Sequence, residues 1–191
     1  MTRIIALANQ KGGVGKTTTA CNLGAALAER GRRVLLVDLD PQSNLTMCFG
    51  LKPYEQSYTT YQVLHNPRAG LSPARRVLRE RLDLVPAQLD MAAAELELAS
   101  RVGRETLLRR ALADVREQYD YILLDPPPRL GLFTRNALAA ATEVMIPLQV
   151  EYLAYQAIAQ LQQTVALLQE EINPALMIGG VLCTMVDSRK R

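Results

Sequence analysis

Asn9-Gln10-Lys11-Gly12-Gly13-Val14-Gly15-Lys16-Thr17-Thr18-Thr19 lies between an apolar run at residues 3–8 and a segment at residues 16–29 that carries Leu23, Ala26 and Leu27 at helical spacing. Gly31 closes that segment, as glycine commonly closes a helix. The order is strand, glycine-rich turn, helix. Glycines let a backbone wrap an anion, and the loop amides and the helix amino terminus supply positive potential. Lys16 has the reach for terminal phosphates, and the Thr17 hydroxyl suits a magnesium ion. A standard phosphate loop has glycine where this chain has Gln10, yet Gly15-Lys16-Thr17 stands at the right offset and Lys11 adds a second cation.

Outward from this loop, Arg33-Val-Leu-Leu-Val-Asp38 carries a continuous apolar run, the pattern of a parallel strand covered on both faces. The polar stretch 38–46 follows its carboxyl end, where open α/β sheets bind their ligands. Tyr121-Ile-Leu-Leu-Asp125 has the same form and is stopped by Pro126-Pro127-Pro128. A strand ending in aspartate near a phosphate loop delivers a carboxylate towards bound magnesium, directly or through water. Asp38 and Asp40 lie on opposite sides of the strand if it continues. Asp40 suits the polarisation of attacking water, while Asp38 suits either a hydrogen bond to the loop or the magnesium shell.

Further strands are expected at 82–86, 143–148 and 175–182. Helices are expected at 59–64, 74–78, 90–98, 105–118, 132–141 and 154–171. In the segment 105–118, Leu107, Leu108, Ala111, Leu112 and Val115 form the covered face. This alternation implies an α/β three-layer sandwich with a mostly parallel central sheet, of the phosphate-loop NTPase type, and one domain over 1–191. The chain stops soon after a central-looking strand, so a C-terminally truncated form is expected.

The 191 residues are 49% hydrophobic and 21% charged, which fits a globular protein with one substantial core. The sequence has no apolar run of membrane-spanning length and no secretory leader, so a cytoplasmic protein is expected, with no stable membrane association. Cys21, Cys48, Cys183 and the lone His65 are too scattered for a metal cluster. The net charge of +3 is mild, and Lys11, Lys16, Lys52 and Lys190 are the only lysines among 22 basic residues. Nucleic-acid binding is permitted by this balance and not demanded by it.

Lys11-Gly-Gly-Val-Gly-Lys-Thr-Thr18, Asp38-Leu-Asp-Pro-Gln-Ser-Asn-Leu-Thr46 and Asp125-Pro-Pro-Pro128, in that order, resemble the ParA/Soj branch of the deviant Walker-type ATPases, which are related to MinD. Ile146-Pro-Leu-Gln-Val-Glu-Tyr152 and Gly180-Val-Leu-Cys-Thr-Met-Val-Asp187 continue the likeness. The resemblance implies an ATPase that uses ATP and Mg2+ and dimerises around ATP, with Lys11 reaching the partner chain's nucleotide. It implies phosphate contacts from Gly12, Gly13, Val14, Gly15, Lys16, Thr17 and Thr18, and adenine contacts from Thr184 and Met185. Thr17, Asp38 and Asp125 would serve the metal, and Lys11, Lys16 and Asp40 would serve hydrolysis. Asn44 and Thr46 match one switch segment and residues 126–131 a second. Nonspecific double-stranded DNA, a ParB-like centromere-binding partner and a nucleoid-associated location complete the implied picture of chromosome or plasmid partition. A MinD-like positioning ATPase and a catalytically weak nucleotide-binding assembly module are the alternatives.

Several residues depart from the family pattern. Ser43 stands where a glycine or another small residue is common, Arg129 replaces the serine often found after the prolines, and Leu153-Ala-Tyr-Gln-Ala157 departs from the usual dimer-facing segment. Arg68, Arg75, Arg76, Arg79 and Arg81 form a basic cluster. If 74–81 is helical, Arg75 and Arg79 share a face that suits nucleic-acid phosphates or plain solvent. Arg189-Lys190-Arg191 forms a second basic group at the end of the chain.

Overall fold

In chain order, the computed structural model has strand β1 at Arg3–Leu7, helix α1 at Lys16–Glu29, β2 at Val34–Asp38, α2 at Asn44–Cys48 and α3 at Thr60–His65. These are followed by β3 at Arg76–Arg79, β4 at Leu82–Val85, α4 at Met91–Glu97, α5 at Leu107–Ala111 and β5 at Tyr121–Asp125. The last elements are α6 at Leu132–Ala140, β6 at Glu143–Gln149, α7 at Ala154–Glu171 and β7 at Met177–Thr184. The structure describes residues 1–151 and 154–186. Leu153 and the basic group Arg189-Lys190-Arg191 lie outside the described residues, as do Tyr152, Asp187 and the side chains of 154–157.

The strands form one sheet in the order β3-β4-β2-β5-β1-β6-β7. All neighbours run parallel except β3, which pairs antiparallel with β4. Alternation along the central strands divides the core between two faces. Ile4, Ala6, Leu35, Val37, Ile122 and Leu124 pack with residues of α3 to α7, whereas Ile5, Leu7, Val34, Leu36 and Leu123 pack with Ala20 and Ala28 of α1. Burial on both sides is why β1, β2 and β5 are apolar throughout. The expected sandwich is therefore present, and β2 and β5 run in register so that Asp38 lies beside Asp125.

Two expected elements differ. Residues 74–78 do not form a helix. Ser72–Ala74 is a single 3-10 turn, and the chain then runs as β3 into a hairpin with β4. Arg81 turns that hairpin at a φ of 63°. Pairing with β4 satisfies the backbone of a short segment that has no helical apolar stripe. The arginines consequently share no helical face, and most of them fasten the hairpin in place. Arg76 donates to Gln56 and to the Tyr58 carbonyl, Arg79 to Glu29 and the Ala25 carbonyl, and Arg81 to the Gly31 carbonyl.

The single helix expected at 105–118 is divided into α5 and flanking 3-10 turns. Its covered face is nonetheless right, since Leu107, Leu108, Ala111, Leu112 and Val115 are all buried. The division coincides with Asp114, whose carboxylate leaves the helix line to accept from the Leu71 and Ser72 amides at 3.0 Å each. At the opposite edge of the sheet, β7 exposes Met177, Ile178, Val181 and Leu182. Among the described residues, no helix is long and apolar enough to cross a membrane.

Candidate nucleotide site

A cleft of about 790 Å³ opens at the carboxyl ends of the strands, a volume within the usual range for small-molecule sites. Gly12, Gly13, Gly15, Lys16, Thr17 and Thr18 line it, together with Asp40, Asn44, Arg129 and Met185. The loop takes its shape from two glycines in the left-handed region, Gly13 at φ 73° and Gly15 at φ 88°, where a side chain would be strained. Gly15 sits immediately ahead of the first turn of α1, so that turn's free amides face the loop.

Neighbouring strands tie the loop down. Asn9 donates to the Pro147 carbonyl at 2.7 Å, and its side-chain oxygen accepts from the Lys11 amide at 3.0 Å. Thr184 at the end of β7 donates to the Val14 carbonyl at 2.9 Å. Val14 itself is buried and Thr184 does not line the cleft, so these two residues shape the loop, whereas Met185 reaches the cleft. Lys11 is exposed and its ammonium pairs with Glu151.

Lys16 is only 7% exposed, and burial lowers its pKa while Asp125 and Asp40 pull it back up. Asp125, 1% exposed, is the electrostatic counterpart. Burial pushes its pKa up to about 6, against the downward pull of the Thr17 hydroxyl and the Lys16 ammonium, and Asp40 raises it further. Neither carboxylate oxygen has a hydrogen-bond partner, so the Thr17 hydroxyl acts on it without closing a bond. A buried carboxylate left in this state costs free energy unless a cation or donor comes to it.

Asp38 lies alongside on β2 and is fully buried, with a pKa pushed up to about 7 by burial and by Asp125. Its oxygens are already engaged. One accepts from the Asp40 amide at 3.1 Å, the other from the Thr46 amide at 2.9 Å and the Thr46 hydroxyl at 2.7 Å. All three bonds run to the 40–46 segment. Asp40 is half-buried, lines the cleft and accepts from the Gln42 amide at 2.9 Å.

The cleft also contains residues that sequence reasoning missed, among them Gln42, Ala92, Glu95 and Phe133. Ala92 and Glu95 are three apart on α4 and so share a face, a spacing visible in sequence although its target is not. Glu95 accepts from the Leu132 amide at 2.7 Å and so ties α4 to the start of α6.

Among the described residues, no three His, Cys, Asp or Glu side chains cluster as a metal cage. The donor set that exists is hard oxygen, the Thr17 hydroxyl and the Asp125 carboxylate beside a phosphate-binding turn. Magnesium, which takes few protein ligands and completes its shell with water and phosphate, fits that set. Fold and cleft together define a nucleotide-binding ATPase of the phosphate-loop class.

A family model described as an AAA domain matches residues 2–178. The sporulation initiation inhibitor protein Soj of Bacillus subtilis is 49% identical over 99% of this chain and 75% of its own length. The chromosome partitioning protein ParA of Myxococcus xanthus is also 49% identical, over 98% of this chain and 66% of its own. The cobyrinic acid a,c-diamide synthase of Mycobacterium smegmatis, solved with an ATP analogue and magnesium bound, superposes with a TM-score of 0.94 at 46% identity, covering 99% of this chain and 77% of that one. The chain belongs to the Soj/ParA family of ATPases.

Proposed function

We propose that this chain is a magnesium-dependent ATPase switch for chromosome or plasmid partition, which dimerises on ATP and holds double-stranded DNA without sequence preference in that state. The observation that carries the reading is the buried Asp125 carboxylate, whose two oxygens lack hydrogen-bond partners beside Lys16, Thr17 and the glycine loop. The loop amides and Lys16 bind the phosphates, and Thr17 and Asp125 hold the metal. Bound there, magnesium neutralises charge on the terminal phosphates. Asp40, at the cleft surface, orients the water that attacks the terminal phosphate. Asp38 fixes the 40–46 segment through Thr46 and the Asp40 amide, so that the segment answers to the nucleotide as a unit. Gly12, Gly13, Gly15 and Thr18 line the phosphate path, Val14 supports it from beneath, and Thr184 and Met185 stand on the adenine side.

Lys11, exposed at the rim and resting on Glu151, leaves that partner to reach the nucleotide of a second copy. ATP thereby organises residues 40–46 and 126–131 together with the dimer, and hydrolysis releases them. A ParB-like centromere-binding protein stimulates that release, and the protein works on the nucleoid in the cytoplasm. The names of the Bacillus and Myxococcus relatives support the partition role, and the nucleotide and metal in the Mycobacterium structure support the cofactors.

The test compares oligomeric state and DNA retention without nucleotide and with ADP, ATP and a nonhydrolysable ATP analogue. ATP and the analogue are expected to give a dimer that retains DNA, while ADP gives neither. DNA retention that ignores nucleotide would reduce the protein to a simple binding module. Dimerisation without DNA retention would turn attention to positioning of a protein partner.

A further inference from the structure

Arg129 lines the nucleotide cleft from residues 126–131, a segment distant in sequence from the glycine loop. Its backbone is held on both sides. The Thr134 hydroxyl donates to the Arg129 carbonyl at 2.5 Å and contacts the Pro127 carbonyl at 3.2 Å, while Glu95 accepts from the Leu132 amide at 2.7 Å. Three prolines precede it and restrict the chain further. The side chain, in contrast, is exposed and makes no hydrogen bond or ion pair with the described residues. Arg3, Arg33, Arg76 and Arg79 hold side-chain or carbonyl partners, and Arg129 is the arginine that lines the cleft among the described residues.

Among the described residues, Lys16 and Arg129 are the two cationic side chains lining the cleft, against Asp40 and Glu95. One Glu95 oxygen is already occupied by the Leu132 amide, and Lys16 is buried at the base of the loop. A guanidinium on an anchored backbone, without a protein partner and facing a polyphosphate site, is placed to fork onto phosphate oxygens.

We propose that Arg129 contacts the terminal phosphate of the nucleotide in its own chain's cleft, adding a built-in arginine to the charge supplied by Lys16. This rests on the nucleotide reading of the cleft. It makes Arg129 a selector of ATP over ADP and a contributor to turnover.

The experiment measures affinity for ADP and for a nonhydrolysable ATP analogue, each with magnesium, and steady-state hydrolysis, in the full chain and in Arg129→Ala and Arg129→Lys. Arg129→Ala is expected to weaken analogue binding about tenfold, to change ADP binding less than about twofold, and to lower kcat at least about tenfold, with partial recovery in Arg129→Lys. Equal losses for ADP and the analogue, or no loss for either, would overturn the assignment while leaving the ATPase reading in place. Failure of the unsubstituted chain to bind either nucleotide would remove that reading and this one together.

Discussion

Replacing Asp125 with asparagine should make the unliganded protein more stable at alkaline pH and less responsive to magnesium ATP. Burial pushes the carboxyl from an ordinary 3.8 to about 6, and a gap of that size corresponds to about 3 kcal/mol against ionisation in the native state. The native state therefore holds the proton more tightly than the unfolded chain does. The penalty is absent below about pH 4, grows as pH rises to about 6 and is complete above that. Asparagine removes it at every pH but leaves an amide with unmet hydrogen bonds, costing about 1–2 kcal/mol. The net expectation near pH 8 is a gain of about 1 kcal/mol, or a Tm higher by ~2–4 °C for a chain of this size. Near pH 4 the gain should become a loss of about 1–2 kcal/mol, since only the amide cost remains. Calorimetric melts across that range, with and without magnesium ATP, measure both effects. A stability difference between variant and parent that stays constant from pH 4 to pH 8 would refute the unpaired buried charge on which the metal assignment stands.

Lys16→Ala should nearly abolish nucleotide binding by titration calorimetry, whereas Lys11→Ala should keep monomer binding and lose the ATP-dependent dimer in sedimentation. Equal loss of affinity in both variants would count against a trans-acting Lys11. Asp40→Ala should slow hydrolysis by about 10²-fold or more while nucleotide affinity changes little, the pattern of a group acting on the attacking water, and unchanged turnover would remove it from the hydrolytic set. Thr46→Val, though nearly isosteric, should cost about 2–4 kcal/mol in denaturant unfolding, because it removes a donor to the buried Asp38 and the acceptor of the Ala87 amide.

The phosphate loop was legible because its determinants are local. Gly13 and Gly15 need torsions that only glycine adopts freely, and the change from strand to helix around them is written in apolar spacing. The covered strands β1, β2 and β5, the helix α7 and the face of the 105–118 segment were readable for the same reason. The hairpin of β3 and β4 was not. A short segment such as Arg76-Val-Leu-Arg79 carries too few residues to separate the periods of helix and strand, and pairing with Leu82–Val85 decided it. The role of the arginine cluster changed with it, from one helical face to a set of separate anchors.

The sequence by itself determined that a strand, an anion-binding turn and a helix follow one another here, because backbone torsion and side-chain period act over a few residues. It also identified the aspartates that end two covered strands. Only the tertiary structure decided that β5 lies between β1 and β2, which sets Asp125 beside Asp38 and within the influence of Lys16 and Thr17. Burial then left one carboxylate unpartnered and gave the other three hydrogen bonds. That difference comes from which chain segments the sheet brings together, and no single segment contains it.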